Sequence, residues 1–106
     1  NLVLFSLGGM ILALHPRSDL VEDAGIIDNQ ADFSGVTISY NAHDKNEVDA
    51  VLMKVKQLGA EIVKPATNVY WGGYSGYFRD PNGHLIEVAY NPFWPFDEHG
   101  NIQLPE

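Results

Sequence analysis

The chain has 106 residues and no cysteine, which predicts a single domain and excludes a disulfide framework, a thiolate zinc site and a cysteine nucleophile. Its formal net charge of −8 repels phosphate backbones, so nucleic acid is not an expected partner. No apolar run approaches the roughly 18 to 20 residues that cross a bilayer, and no signal peptide is recognisable. We therefore expect a cytoplasmic protein that has no membrane partner.

The chain opens with two short apolar runs, LVLFSL at residues 2–7 and MILALH at residues 10–15. Gly8 and Gly9 separate the runs, and glycine reaches the positive φ angles that tight turns require. Residues 1–16 are therefore predicted to form a β-hairpin. The sequence leaves open whether further residues precede it in the natural protein.

Residues 17–34 are polar, acidic and poorly periodic, which predicts a connecting loop with one helical turn around Asp19 to Ala24. A connection of this length in a small domain often forms part of a binding site.

Residues 35–95 are predicted to form a complete βαβββ unit. Residues 35–42 alternate between apolar and polar, which predicts a strand whose Val36, Ile38 and Tyr40 lie on one buried face.

The helix of this unit is predicted over residues 45–58. Asp44 is a good N-cap, Glu47 completes a capping box, and Gly59 suits the left-handed position that ends a helix. The apolar stripe that would face the sheet consists of Val48, Val51, Leu52, Val55 and Leu58.

Three further strands are predicted at residues 61–65, 74–79 and 84–90. The sequence Asp-Pro-Asn-Gly at residues 80–83 is a strong turn signal between the last two strands. Residues 96–106 are predicted to form a tail without regular structure, because prolines interrupt the sequence that leads into them.

The last strand contains a carboxylate in its middle, Glu87. Period two places Ile86 and Val88 on the face that meets the helix, so Glu87 lies on the opposite face between Leu85 and Ala89. A partly buried carboxylate needs a partner. Glu87 is therefore a metal ligand, a hydrogen-bonded pocket group or a solvated side chain.

The stretch GYFRDPNGHLIEVAYNPFW, with the capped helix and the KPA strand before it, resembles the C-terminal module of the vicinal oxygen chelate superfamily. This superfamily includes glyoxalase I, bleomycin-resistance proteins and extradiol dioxygenases. The resemblance implies an α+β fold of paired βαβββ modules, in which a curled mixed sheet surrounds a cavity. The opening hairpin would then be the end of an incomplete first module.

The resemblance also implies positions for a divalent metal. Glu87 matches a ligand position, whereas Thr37 stands where a His is usual and Leu12 stands where a Glu is usual. The expected cofactor is therefore none, or a weakly held divalent metal, because an oxygen-rich site needs several ligands. A shift in register would bring His43 or His15 towards the site instead.

Aromatic residues crowd the loops and strand ends near the expected cavity. They either fill core space or line a pocket that stacks planar or cationic ligands. Lys64 and Arg79 are candidate anchors for an anionic ligand. The predicted ligand-binding residues are Thr37, Trp71, Tyr74, Tyr77, Phe93 and Trp94, and Tyr70 belongs to the same aromatic set.

Three functions remain open from the sequence. The first is a binding protein that holds a small organic molecule in an aromatic-rich cavity without a complete metal site. The second is a metal-dependent lyase, isomerase or dioxygenase of the glyoxalase type with Glu87 as ligand. The third is a metal-free enzyme in which Glu87 is the catalytic general base. In each case we expect a homodimer, with or without exchanged elements, because the hairpin leaves a sheet edge unpaired.

Overall fold

A computed structural model describes residues 2–28 and 33–105. The hairpin strands pair with each other, and the remaining strands form a mixed four-stranded sheet of order β3-β6-β5-β4, in which β3 runs parallel to β6. This is the α+β architecture that the sequence predicts. The elements in chain order are β1 (Val3–Ser6), β2 (Ile11–Leu14), α1 (Arg17–Ala24), β3 (Ile38–Asn41), α2 (Lys45–Gln57), β4 (Glu61–Asn68), β5 (Tyr74–Arg79) and β6 (Leu85–Tyr90).

The opening hairpin has the predicted form. Gly8 and Gly9 both take positive φ angles between β1 and β2. The two cross-strand pairs Val3–Leu14 and Phe5–Leu12 lie on one face of the hairpin because residues two apart in a strand share a face. All four of these side chains are exposed.

The start of α2 confirms the predicted N-cap, with one difference in detail. The carboxylate of Asp44 accepts a hydrogen bond from the backbone N–H of Glu47 at 2.7 Å. The carboxylate of Glu47 accepts from the backbone N–H of His43 at 2.6 Å, one residue before the cap. At the other end Gly59 has the predicted positive φ, and Leu58 is 73% exposed because the helix ends before it.

The main core lies between α2 and one face of the sheet. Val48 and Leu52 pack against Phe78 and Val88, and Ile86 adds to the same cluster, as its position in β6 predicts. A Cβ atom on Gly76 of β5 would lie 2.8 Å from Cδ1 of Leu52, so the helix approaches the strand too closely for a side chain there.

The segment predicted as a loop at residues 17–34 contains a helix of eight residues, α1, rather than one helical turn. Leu20 and Ala24 are four residues apart, so they share a face, and they pack with Phe33 against the second face of the sheet. Two buried positions make too short a stripe for periodicity to reveal. The part of the predicted loop at residues 29–32 lies outside the described residues.

Arg17 fixes the two ends of this segment to each other. Its guanidinium donates to the carboxylate of Asp28 at 2.7 and 2.9 Å and to the backbone carbonyl of Phe33 at 2.6 Å. It also lies over the ring of Phe33, 4.9 Å from the centroid. The start of α1 and the chain that leads into β3 are therefore held together.

The predicted buried face of the first strand is wrong. Val36, Ile38 and Tyr40 are all exposed. The strand is an edge strand, and α2 packs mainly against β4, β5 and β6, so these side chains stay exposed apart from a hydrogen bond from Tyr40 to Glu47. It also begins later than predicted, at Ile38, after Gly35 has taken a positive φ.

The end of the chain follows the prediction more closely. Gly83 has a positive φ and donates its backbone N–H to the carbonyl of Asp80 at 2.9 Å, which forms the turn between β5 and β6. In the tail, Phe96 and Ile102 form an isolated bridge around a turn whose backbone N–H groups bind the carboxylate of Asp97. Neither described helix is long and apolar enough to cross a membrane.

Candidate functional site

One residue from each strand of the sheet contributes to a polar row on the face that α1 covers. The strand pairings place Lys64 of β4 opposite Tyr77 of β5, Tyr77 opposite Glu87 of β6, and Glu87 opposite Ser39 of β3. Residues opposite each other in adjacent strands point to the same face. The four side chains therefore lie side by side across the sheet, in the spatial order Lys64, Tyr77, Glu87 and Ser39. We call these four residues the polar row.

Glu87 is the acidic member of the polar row and is partly buried. The hydroxyl of Ser39 donates to its Oε1 atom at 2.6 Å. Burial raises the pKa of Glu87 above its usual range and the charge of Asp23 raises it further, whereas the hydrogen bond from Ser39 lowers it. The carboxyl of Glu87 therefore holds a proton more readily than an exposed glutamate does.

The other half of the polar row meets the last turn of α1. The buried hydroxyl of Tyr77 donates to Oδ2 of Asp23 at 2.5 Å, and Nζ of Lys64 donates to the backbone carbonyl of Asp23 at 2.6 Å. Burial and the negative charges of Glu87 and Asp23 raise the pKa of Tyr77, so its hydroxyl stays protonated and remains a donor.

Thr37 lies on the same face as Ser39, just before β3. Its hydroxyl donates to the backbone carbonyl of Leu85 at 2.8 Å. The oxygen of Thr37 still has lone pairs that can accept a hydrogen bond from a ligand. Thr37 and Ser39 therefore place two hydroxyl groups on the β3 side of Glu87.

The described residues do not make a metal site of the kind that the resemblance implies. Within residues 2–28 and 33–105 no three His, Asp or Glu side chains lie close enough together to hold an ion. Leu12 is an exposed apolar side chain in β2, and Thr37 offers a hydroxyl. Glu87 with two hydroxyl groups is too small a donor set for firm binding of a divalent cation. Nδ1 of His43 lies 3.1 Å from Oε1 of Glu47, and the His43 ring stacks on the ring of Phe96.

The predicted aromatic residues are spread over several places rather than brought together. Tyr77 belongs to the polar row, but Tyr74 packs on the α2 side and donates its hydroxyl to Asp49 at 2.6 Å. The Trp71 ring lies over Gly73 in the β4–β5 loop, and the Phe93 ring lies beside Gly72, where both aromatic side chains are exposed. Trp94, which is partly buried, follows in the turn after β6, and Tyr70 is fully exposed.

An open groove also exists on the opposite face of the molecule, between α2 and β4. It is lined mainly by apolar side chains, including Leu52, Met53 and Ile62, with Asp49 and Lys56 at its rim. No member of the polar row lines it. Glu87 therefore does not line this groove.

Two residues of the site, Ser39 and Asp23, escaped the sequence analysis. The sequence could have predicted Ser39 as a site residue, because it shares a face with Thr37 and because the first and last strands of the unit are neighbours. Asp23 carried none, since it lies in a segment that was predicted as a loop.

Comparison with known proteins agrees with this architecture. Residues 6–88 match the family model described as Glyoxalase/Bleomycin resistance protein/Dioxygenase superfamily. The chain belongs to this superfamily.

A curated relative is similar in sequence to most of this chain. The chain is 33% identical over 85 residues to the metallothiol transferase FosB of Shouchella clausii (strain KSM-K16), and the match covers 79% of this chain and 53% of that protein. The chain therefore spans about half the length of this curated relative.

Solved structures extend the likeness over almost the whole chain. A glyoxalase-related enzyme from Fulvimarina pelagi matches with a TM-score of 0.65 and 28% identity, over 99% of this chain and 75% of that one. The lactoylglutathione lyase of Agrobacterium tumefaciens matches with a TM-score of 0.50 and 26% identity, over 91% and 72% of the two chains.

Proposed function

We propose that this chain binds a small organic molecule on the sheet face that carries the polar row, without a complete metal site of its own. The observation that carries the proposal is Glu87, a carboxyl held at the centre of the sheet by Ser39, with a raised pKa. A carboxyl whose pKa is raised holds a proton more readily, and a protonated carboxyl can donate as well as accept a hydrogen bond with a ligand. The superfamily membership supports a site on this face, since the resemblance concerns the strand that contains Glu87.

The route to Glu87 runs along β3. Ser39 is exposed, and Thr37 beside it is partly buried, so a ligand at this edge of the sheet would reach both hydroxyl groups and the carboxyl together. Trp71 in the β4–β5 loop and Phe93 after β6 are both exposed. They remain predicted contacts for a planar ligand.

A second candidate is a divalent-metal-dependent lyase, isomerase or dioxygenase of the glyoxalase type with Glu87 as ligand. The position of Glu87 in the last strand favours it, as do the names of the metallothiol transferase and the lactoylglutathione lyase to which the chain is similar. Further ligands would have to come from outside the described residues or from a second subunit. Elemental analysis after dialysis against nickel, zinc or manganese distinguishes the two candidates, because only the second predicts near-stoichiometric metal that is lost in Glu87→Ala.

We also propose that the protein is a homodimer whose interface includes the hairpin. The exposed face formed by Val3, Phe5, Leu12 and Leu14 is the kind of contiguous apolar surface that a second copy covers. Light scattering at micromolar concentration should give the mass of a dimer, and Phe5→Ser should shift it towards the monomer. Ile27→Ser, which replaces an isolated exposed apolar side chain, serves as the control. A monomeric mass for the unmodified chain would contradict the proposal.

The binding site is tested by a fragment screen followed by substitution. A fragment that binds the unmodified chain should lose about tenfold in affinity to Glu87→Ala, which removes the carboxyl in both its protonated and its ionised form, since a hydrogen bond to a charged group contributes about 1.5–3 kcal/mol. Glu98→Gln removes an exposed carboxylate from the tail and should leave the affinity unchanged. Equal affinity in all three proteins would contradict the proposed site.

A further inference from the structure

We infer that Asp23 occupies the place of a ligand carboxylate, so the ligand class is small carboxylic acids with a hydroxyl or amino donor beside the acid group. The inference rests on the proposed function and narrows it. The last turn of α1 would then compete with the ligand for the polar row.

The contacts of Asp23 are those that a bound acid would make. Two donors of the polar row, the hydroxyl of Tyr77 and Nζ of Lys64, both point at oxygen atoms of this one residue, at 2.5 and 2.6 Å. The hydroxyl of Tyr77 reaches the side-chain carboxylate of Asp23, whereas Nζ of Lys64 reaches its backbone carbonyl. A phenol hydroxyl and an ammonium group on adjacent strands are both donors to which a ligand carboxylate can bind.

The next strand, β6, indicates which group the ligand has beside its carboxylate. Glu87 lies one strand further along the row, about 4.8 Å from Tyr77 by strand spacing. Its carboxylate accepts, and the oxygen of Ser39 can accept as well, so a hydroxyl or amino group of the ligand would be held here. A donor attached to the carbon next to a carboxylate spans this separation.

Arg79 supplies an independent indication of an anion on this face. It lies two residues after Tyr77 in β5, so both side chains share a face. Its guanidinium binds Glu61 at 3.6 Å, while the buried Nε atom has no hydrogen-bond partner among the described residues. The face beneath α1 therefore has two cations, Arg79 and Lys64, in a chain whose net charge is −8.

The part of α1 that would have to move is its last turn, because Arg17 holds the first turn to Asp28 and Phe33. The whole helix has eight residues and buries only Leu20 and Ala24. A helix this short has little stability apart from its tertiary contacts, so it can open while the sheet stays folded. For a ligand that binds only the open form, the apparent affinity is the intrinsic affinity multiplied by the fraction of molecules that are open.

The test uses L-lactate as the probe, with propanoate and propane-1,2-diol as probes that lack the hydroxyl and the carboxylate respectively. Binding is followed by the NMR resonances of the Tyr77 ring and by hydrogen exchange at the α1 amides, at constant ionic strength. Lactate should shift the Tyr77 resonances and increase exchange in α1. In Asp23→Ala its apparent dissociation constant should fall by about fivefold, because the internal competitor has been removed.

Glu22→Ala is the matched control, since it removes the same charge from the same helix turn at an exposed position. It should change the lactate affinity by less than about 1.5-fold if long-range charge is screened by salt. Tyr77→Phe keeps the ring and removes the donor, so in the Asp23→Ala background, where the internal competitor is already absent, lactate should bind about tenfold more weakly.

The outcomes separate the two proposals. If lactate shifts Tyr77 with equal affinity in Asp23→Ala and the unmodified chain, the role of Asp23 is wrong and the proposed binding face stands. If only propane-1,2-diol perturbs the polar row, the carboxylate class is wrong and the face again stands. If none of the three probes, nor any fragment of a general library, perturbs the row, both proposals are wrong.

Discussion

On one face of the four-stranded sheet α2 packs Val48 and Leu52 against Phe78 and Val88, whereas on the other face the shorter α1 meets a row of polar side chains. The first face is apolar and closely fitted around Gly76. The second combines a small apolar cluster with hydrogen bonds that each have one charged and one neutral partner. The larger apolar cluster lies on the α2 face, so we expect most of the stability of the fold to come from that face.

A substitution on each face measures this difference most strongly. Leu52→Ala should lower the free energy of unfolding by about 3 kcal/mol, because the surrounding sheet and helix cannot collapse into the space. Leu20→Ala, on α1, should cost only about 1 kcal/mol, because the helix can separate from the sheet instead. Urea denaturation measures both values. Equal losses would show that the two faces are equally important to the fold.

The close contact on the α2 face predicts the next effect. A Cβ atom on Gly76 would lie 2.8 Å from the backbone carbonyl oxygen of Lys64 and 2.9 Å from the backbone nitrogen of Ala66, neither of which can move as a flexible side chain does. Gly76→Ala should therefore destabilise the protein by about 2 kcal/mol. Gly76 does not have a positive φ, so the loss measured by thermal unfolding reports the close contact rather than left-handed strain.

On the α1 face the bond between Tyr77 and Asp23 should have a smaller and more local effect. Tyr77→Phe removes a hydrogen bond to a carboxylate and should reduce stability by about 1.5 kcal/mol. Hydrogen exchange should increase in α1 and remain unchanged in α2. Increased exchange in both helices would contradict the separation of the two faces.

The smallest expected effect depends on pH. Because the pKa of Glu87 is raised in the folded protein, its contribution to stability is complete below the pKa of an unfolded glutamate and is lost as pH rises through the folded pKa. Glu87→Gln should equal the unmodified chain at low pH and become the more stable of the two as pH rises. Unfolding across the pH range with Glu61→Gln as control provides the measurement. An advantage that is independent of pH would exclude a raised pKa as its cause.

The sequence predicted the α2 face well because its signals are local. The cap at Asp44, the stripe that contains Val48 and Leu52 and the turn that ends at Gly83 each depend on residues within a few positions of one another. The superfamily could likewise be identified from a contiguous motif, and residues 6–88 match its family model.

The α1 face could be predicted only in part, because it is assembled from distant segments. Glu87 was predicted from its strand and Tyr77 from the aromatic set, but Asp23 lies 54 residues from its partner Tyr77. The helix that contains Asp23 depends on contacts with Phe33 and the sheet rather than on its own periodicity. The exposed edge at Ile38 was mispredicted for a related reason, since alternation shows that a strand has two faces but not whether another element covers them.

The most direct test of the account is to map where a bound fragment perturbs the protein by NMR, with resonances assigned on both faces of the sheet. We predict that perturbations concentrate at Ser39, Tyr77 and Glu87, together with the amides of α1. A footprint confined to Leu52, Met53 and Ile62, in the groove between α2 and β4, would contradict the central claim that this protein binds its ligand on the Glu87 face.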